Sequence, residues 1–298
     1  MMRFEIVHET EYRYSEPVFL EPHLLRIRPR SDWSQRLVRF DLQISPQPEG
    51  CAQLVDLDGN ATIRPWFSGR HDRLHLMARS TVETMVTDPF AYLLDPAADS
   101  LPIQYAAEAP QLSPYLEFAS VAPAVEALAG EITTEAAGKP ECFASLLNQR
   151  IRELCSTETR LEGDPLSPEQ TLTRGRGACR DVAVLFAEVC RVAGLAARFT
   201  SGYAAGSPEQ ERFLHAWAEV YLPGAGWRGY DPSLGLVVAD RHVALASGPQ
   251  AADARPFVGR FRGTDVDAQM TVDLRISASP SEEAATARID SEGQGEEA

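Results

Sequence analysis

Residues 175–190 read GRGACRDVAVLFAEVC. Val182, Phe186, Val189 and, just beyond, Ala193 recur on one face at helical spacing, and Gly194 follows as a C-cap residue. The spacing predicts a helix over 179–193 that opens on Cys179. A thiol at that position faces unpaired backbone N–H groups and the positive end of the helix macrodipole, which favour thiolate over thiol. Gly175 and Gly177 allow a sharp turn into the helix and leave space for a substrate chain beside the sulfur. Taken alone, the segment reads as a buried cysteine opening a core helix. Chemistry requires partners elsewhere in the chain.

Residues 213–233, FLHAWAEVYLPGAGWRGYDPS, supply them. Ala216, Ala218, Val220 and Leu222 alternate with His215, Trp217, Glu219 and Tyr221, which is the pattern of a two-faced strand. Pro223, Gly224 and Gly226 mark a hairpin loop. The resulting register sets Tyr221 opposite Trp227, Glu219 opposite Gly229 and Trp217 opposite Asp231. Asp231 becomes a diagonal neighbour of His215, about 7–8 Å away at Cα, within reach of a side-chain bond. A carboxylate there would orient the imidazole and fix its tautomer. Singly, His215 reads as a strand histidine and Asp231 as a turn residue before proline. With Cys179 they form the parts of a Cys-His-Asp site.

The rest of the chain divides around these stretches. The first 90 residues carry short-period apolar patterns, at Phe4, Ile6, Tyr12 and Tyr14 and again from Leu37 to Ile44. The turn Asp58-Gly59-Asn60 lies between apolar runs, so a β-rich N-terminal domain is expected over 1–92. Alanine, leucine and glutamate dominate from about 95 to 155, and residues 142–154 have helical spacing at Phe143, Leu146, Leu147, Ile151 and Leu154. A Gly/Pro/Thr-rich segment follows over 156–177. Strands are then expected at 197–203, 213–222, 227–230 and 270–276. Helices first and strands later predict an α+β catalytic domain over 93–278. Residues 279–298 hold one large apolar residue, Ile289, and are expected to be a disordered acidic tail.

Charge and cysteine usage exclude several classes. The 28 basic and 43 acidic side chains give a net charge of -15, which disfavours nucleic acid and anionic membranes as partners. No apolar run follows the basic residue near the N-terminus, and no stretch approaches the roughly 18 apolar residues of a membrane span. Cysteines at 51, 142, 155, 179 and 190 are odd in number and form no CxxC pair, which argues against a disulfide framework and a zinc site. Free thiols fit a cytoplasmic location. His8, His23, His71, His75 and His242 have no metal spacing and read as structural or surface residues. No metal or cofactor is expected.

The runs GACRDVAVLFAEVCRVAGLAARFTSGY and LHAWAEVYLPGAGWRGYDPS closely resemble the bacterial transglutaminase-like superfamily. EYRYSEPVFLEPHLLRIRPR (11–30) and DLDGN (56–60) resemble the β-rich N-terminal domain that accompanies this core in bacteria. The resemblance extends to about residue 277. It implies a papain-like core of helices packed on an antiparallel sheet, with Cys179 as nucleophile, His215 as general base and acid, and Asp231 as the orienting acid. The implied reaction is thiolate attack on a peptide or protein amide through a thioester acyl-enzyme, resolved by water or by an amine. A transglutaminase that acylates amines and a non-catalytic peptide-binding module are the alternatives.

The chain departs from the family wording in places. Ala178 and Val182 stand where bulkier residues are common, Ala196 replaces a common proline, and residues 246–259 match a family block only loosely. Animal transglutaminases use an indole upstream of the cysteine as an oxyanion donor, and here no Trp lies between Trp66 and Trp217. Their calcium sites have no counterpart acidic cluster. Asp181 reads as a first-turn acid complementing the helix dipole. Trp217, Tyr203 and Glu219 are open as cleft or packing residues.

Overall fold

The computed structural model describes residues 1–105, 109–118, 122–160, 162–205 and 213–281. Its core sheet has five antiparallel strands in the spatial order Leu236–Val237, Gly226–Asp231, His215–Leu222, Ala197–Ala204, His242–Gly248. The predicted hairpin register holds, with Tyr221 opposite Trp227 and Glu219 opposite Gly229. Alternation then assigns the faces. Ala218, Val220 and Leu222, with Tyr230 from the paired strand, pack into one buried cluster with the helices Pro123–Glu135, Pro140–Leu154 and Cys179–Val192. Phe143, Leu147 and Ile151 from the predicted 142–154 pattern join that cluster, and all are fully buried. Helices on one face of an antiparallel sheet is the expected α+β arrangement.

The β-rich region is built on Met2–Leu20 and His71–Thr84, paired antiparallel, with Gln35–Ser45 beyond. Residues from the far end of the chain complete it. Ala268–Pro280 pairs along the other edge of Met2–Leu20, from Met2 opposite Pro280 to Tyr14 opposite Ala268. Phe257–Val258 and Phe261–Arg262 also pair with strands of the N-terminal region. Chain order assigned residues up to 278 to the second domain; the structure returns this last segment to the first. The open edge of the long first strand explains it, since an unpaired ladder is satisfied by any strand that can reach it. The tail expected from 279 therefore starts inside a strand, and the remainder of that expectation, from 282, lies outside the described residues.

One helix was not anticipated. Pro168–Arg174 lies within the Gly/Pro/Thr-rich segment 156–177. Ser167 and Gln170 form a capping box, proline occupies the first helical turn, and Gly175 closes the helix in the left-handed conformation. The Ser-Pro-Glu-Gln run was a readable start signal, masked by the Gly/Pro content around it.

Contacts between the two regions converge on the edge strand His242–Gly248. The Gln35 side chain donates to Ala244 O at 3.0 Å and accepts from Ala244 N at 2.7 Å. Asn60 does the same to Ser247, at 2.7 and 2.8 Å. Two side-chain amides thus stand in for a missing strand. Arg30 reaches across to Glu219, which also takes Arg198, at 2.7 Å each.

Candidate active site

Cys179 is the first residue of its helix, and the local chain accounts for that. Ala178 has no capping oxygen, so the cap comes from Asp181, whose carboxylate accepts the Ala178 N–H at 2.8 Å. Asp181 is fully buried and also takes Arg160 at 2.5 Å and Leu166 N at 2.9 Å. A first-turn acid near the helix dipole was expected; a buried anchor tying the helix start to residues 160–166 is the fuller role. Gly177 makes it possible, because a Cβ there would lie 2.9 Å from Asp181 Cβ.

The structure brings the three predicted residues together. Cys179 is half-buried beside Ala183, Phe199 and Ala216, next to the strand start at His215. Its thiol lies near enough to the His215 imidazole to contribute to the rise in that ring's pKa. His215 Nε2 meets Asp231 Oδ2 at 2.6 Å. Asp231 is fully buried, while the His215 side chain keeps 16% exposure, so of this pair only the imidazole reaches solvent. Asp231 Oδ1 accepts from Ser233 N, Ser233 Oγ and Leu234 N at 3.1, 2.6 and 3.2 Å, which fixes the carboxylate in a turn that ends the strand.

The electrostatics follow from that packing. Burial alone would lower the His215 pKa, but the Asp231 carboxylate and then Cys179 outweigh it and hold the imidazole well above its usual value. Burial would raise Asp231, but His215 and His242 hold it far below the usual carboxylate range.

His242 corrects the sequence reading. It was grouped with structural or surface histidines, yet its Nε2 lies 3.0 Å from the same Asp231 Oδ2, and its side chain is 1% exposed. Two imidazoles share one carboxylate oxygen. The strand carrying His242 was not anticipated, because HVALASG is rich in alanine and glycine, which strands disfavour. A short apolar run bounded by Asp240-Arg241 and Gly248-Pro249 was the available signal. His215, Asp231 and His242 also have the residue types of a metal site. Both Nε2 atoms lie within hydrogen-bond distance of the carboxylate.

The open assignments resolve away from the thiol. Trp217 is buried and turned to the sheet face away from the helices. Tyr203 donates to or accepts from His8 Nδ1 at 2.9 Å, joining the two regions. Glu219 is the buried anion between Arg30 and Arg198.

Known proteins share parts of this sequence and the fold. Residues 4–83 match the bacterial transglutaminase-like N-terminal region, and residues 126–232 match the transglutaminase-like superfamily. An uncharacterised protein of Mycobacterium tuberculosis is 28% identical over 86% of this chain and 87% of its own. One from Mycobacterium leprae is 23% identical over 90% and 97%. The crystal structure of a candidate cysteine protease from Cytophaga hutchinsonii shares the fold at a TM-score of 0.68 and 21% identity, covering 94% of this chain and 92% of that one.

Proposed function

Because the chain belongs to the transglutaminase-like superfamily, we propose that it is a thiol-dependent amidase or peptidase that works through Cys179, His215 and Asp231. The observation that supports this reading is the grouping of a half-buried thiol at a helix start with an imidazole that is hydrogen-bonded to a buried carboxylate. In the reaction we infer, the thiolate adds to an amide carbonyl and the C–N bond breaks. The His215 imidazolium gives its proton to the departing amine, leaving a thioester on Cys179. His215 then takes a proton from water, the hydroxide displaces sulfur, and a carboxylic acid leaves with the thiol regenerated. The backbone N–H of Cys179, in the first helical turn, is one donor for the oxyanion.

Hydrolysis is preferred over acyl transfer because water at about 55 M competes in any site that closure does not exclude it from. The test is turnover of a peptide-amide library by wild type and Cys179→Ala, with and without an added alkyl amine. Hydrolysis abolished in the variant, and little amine incorporation in wild type, is the expected result. Amine adducts dominating over free acid would assign acyl transfer instead. Equal activity in Cys179→Ala would remove the thiol from the reaction.

A further inference from the structure

The donors that meet the Asp231 carboxylate divide by origin. Oδ1 accepts from Ser233 N, Ser233 Oγ and Leu234 N, all from the turn that Asp231 itself begins. Those bonds fix the carboxylate to its own turn and leave it untied to the rest of the sheet. Oδ2 accepts from outside the turn, from His215 Nε2 at 2.6 Å and His242 Nε2 at 3.0 Å. A carboxylate only accepts, so each Nε2 carries a proton. His242 Nδ1 is buried and has no partner among the described residues, which suits a bare lone pair better than an unpaired N–H.

His242 also packs beside the ring of His215. The two ring centroids lie 6.1 Å apart, and Trp217 closes the triangle at 5.2 Å from His242 and 6.3 Å from His215. Gly202, opposite His215 on the intervening strand, makes room for this cluster: a Cβ there would lie 2.6 Å from the Trp217 ring. The N-terminal region holds the chain on both sides of His242. Thr84 Oγ1 donates to Asp240 O and Arg30 N donates to Ala244 O, each at 3.0 Å, and the Gln35 amide brackets Ala244. A side chain locked in this way can hold a neighbour's geometry that the neighbour's own turn does not fix. We propose that His242 is a positioning residue for the reaction of Cys179, His215 and Asp231: its Nε2–H ties the carboxylate across the sheet and keeps the Asp231–His215 pair aligned.

This role rests on the proposed thiol reaction, and steady-state hydrolysis of p-nitrophenyl acetate, a small activated ester, separates the two. Wild type no faster than Cys179→Ala would sink the thiol reaction and the role of His242 with it. With wild type active, His242→Leu should lower kcat about tenfold or more at an unchanged KM. His242→Gln, whose amide N–H falls near the place of Nε2, should stay within about threefold of wild type. A folded His242→Leu with wild-type kcat would overturn the positioning role and leave the thiol reaction standing. So would His242→Gln as slow as His242→Leu, because the donor would then not matter. Should His242→Leu fail to fold, the wild-type tautomer decides. Nitrogen-15 spectra, with the His242 signals assigned by their loss in His242→Gln, should show a protonated Nε2 and a bare Nδ1. A bare Nε2 would overturn the proposal, since it could not donate to Asp231.

Discussion

Asp231 holds the site together at the scale of single residues. One oxygen serves two imidazoles and the other serves a turn, so all its hydrogen bonds run inside the protein. Its partnership with His215 was legible because strand alternation and hairpin length set the register. Its partnership with His242 was not, because pairing between strands distant in the chain leaves no periodic trace in a short run such as HVALASG. The account makes a directional prediction. Asp231 is the main group raising His215, so Asp231→Asn should lower the imidazole's pKa. The alkaline limb of the activity profile, where the imidazolium loses its proton, should then move toward neutral pH. Turnover should fall about a hundredfold or more, while the fold is kept. A profile that keeps its alkaline limb in the variant would show that the carboxylate does not control His215.

Among the elements, the helix that opens on Cys179 depends on a cap supplied from inside its own first turn. Asp181→Ala would leave the Ala178 and Leu166 N–H groups without their acceptor and Arg160 without its carboxylate. Removing one member of a buried ion pair costs about 3–5 kcal/mol, so the melting temperature should drop substantially. Alkylation of Cys179 should slow even in the folded fraction, because the helix start that holds the sulfur loosens. Unchanged melting and labelling would reduce Asp181 to a generic first-turn acid. The helix over 179–192 was readable because its apolar face packs directly on the sheet. The helix at 168–174 was not, because only its caps identify it and its span is too short for a periodicity signal.

Seen whole, the molecule is less divisible than its chain order suggests. The last strand, Ala268–Pro280, belongs to the sheet of the first, and Gln35 and Asn60 secure the strand that carries His242. No local pattern reports such long-range pairing, which is why the boundary near 278 could not be found by reading along the chain. His8 lies in this junction, bonded to Tyr203, and burial lowers its pKa to about 4. An unfolded histidine titrates near 6.5, so the unfolded chain takes up the proton first. Stability is full above about pH 6.5, falls as pH drops toward 4, and gains no further loss from this group below that; the span is roughly 3 kcal/mol. Denaturant unfolding of His8→Gln between pH 7 and 4 should lack that slope, and a slope equal to wild type would assign the acid sensitivity elsewhere. The central claim is best tested on the intact chain, where five free cysteines serve as mutual controls. Iodoacetamide labelling at neutral pH, resolved by residue with mass spectrometry, should modify Cys179 faster than the exposed Cys51 and Cys142, and His215→Ala should slow Cys179 alone by about tenfold or more. Labelling of Cys179 no faster than the exposed thiols, and unchanged by His215→Ala, would contradict a paired nucleophile.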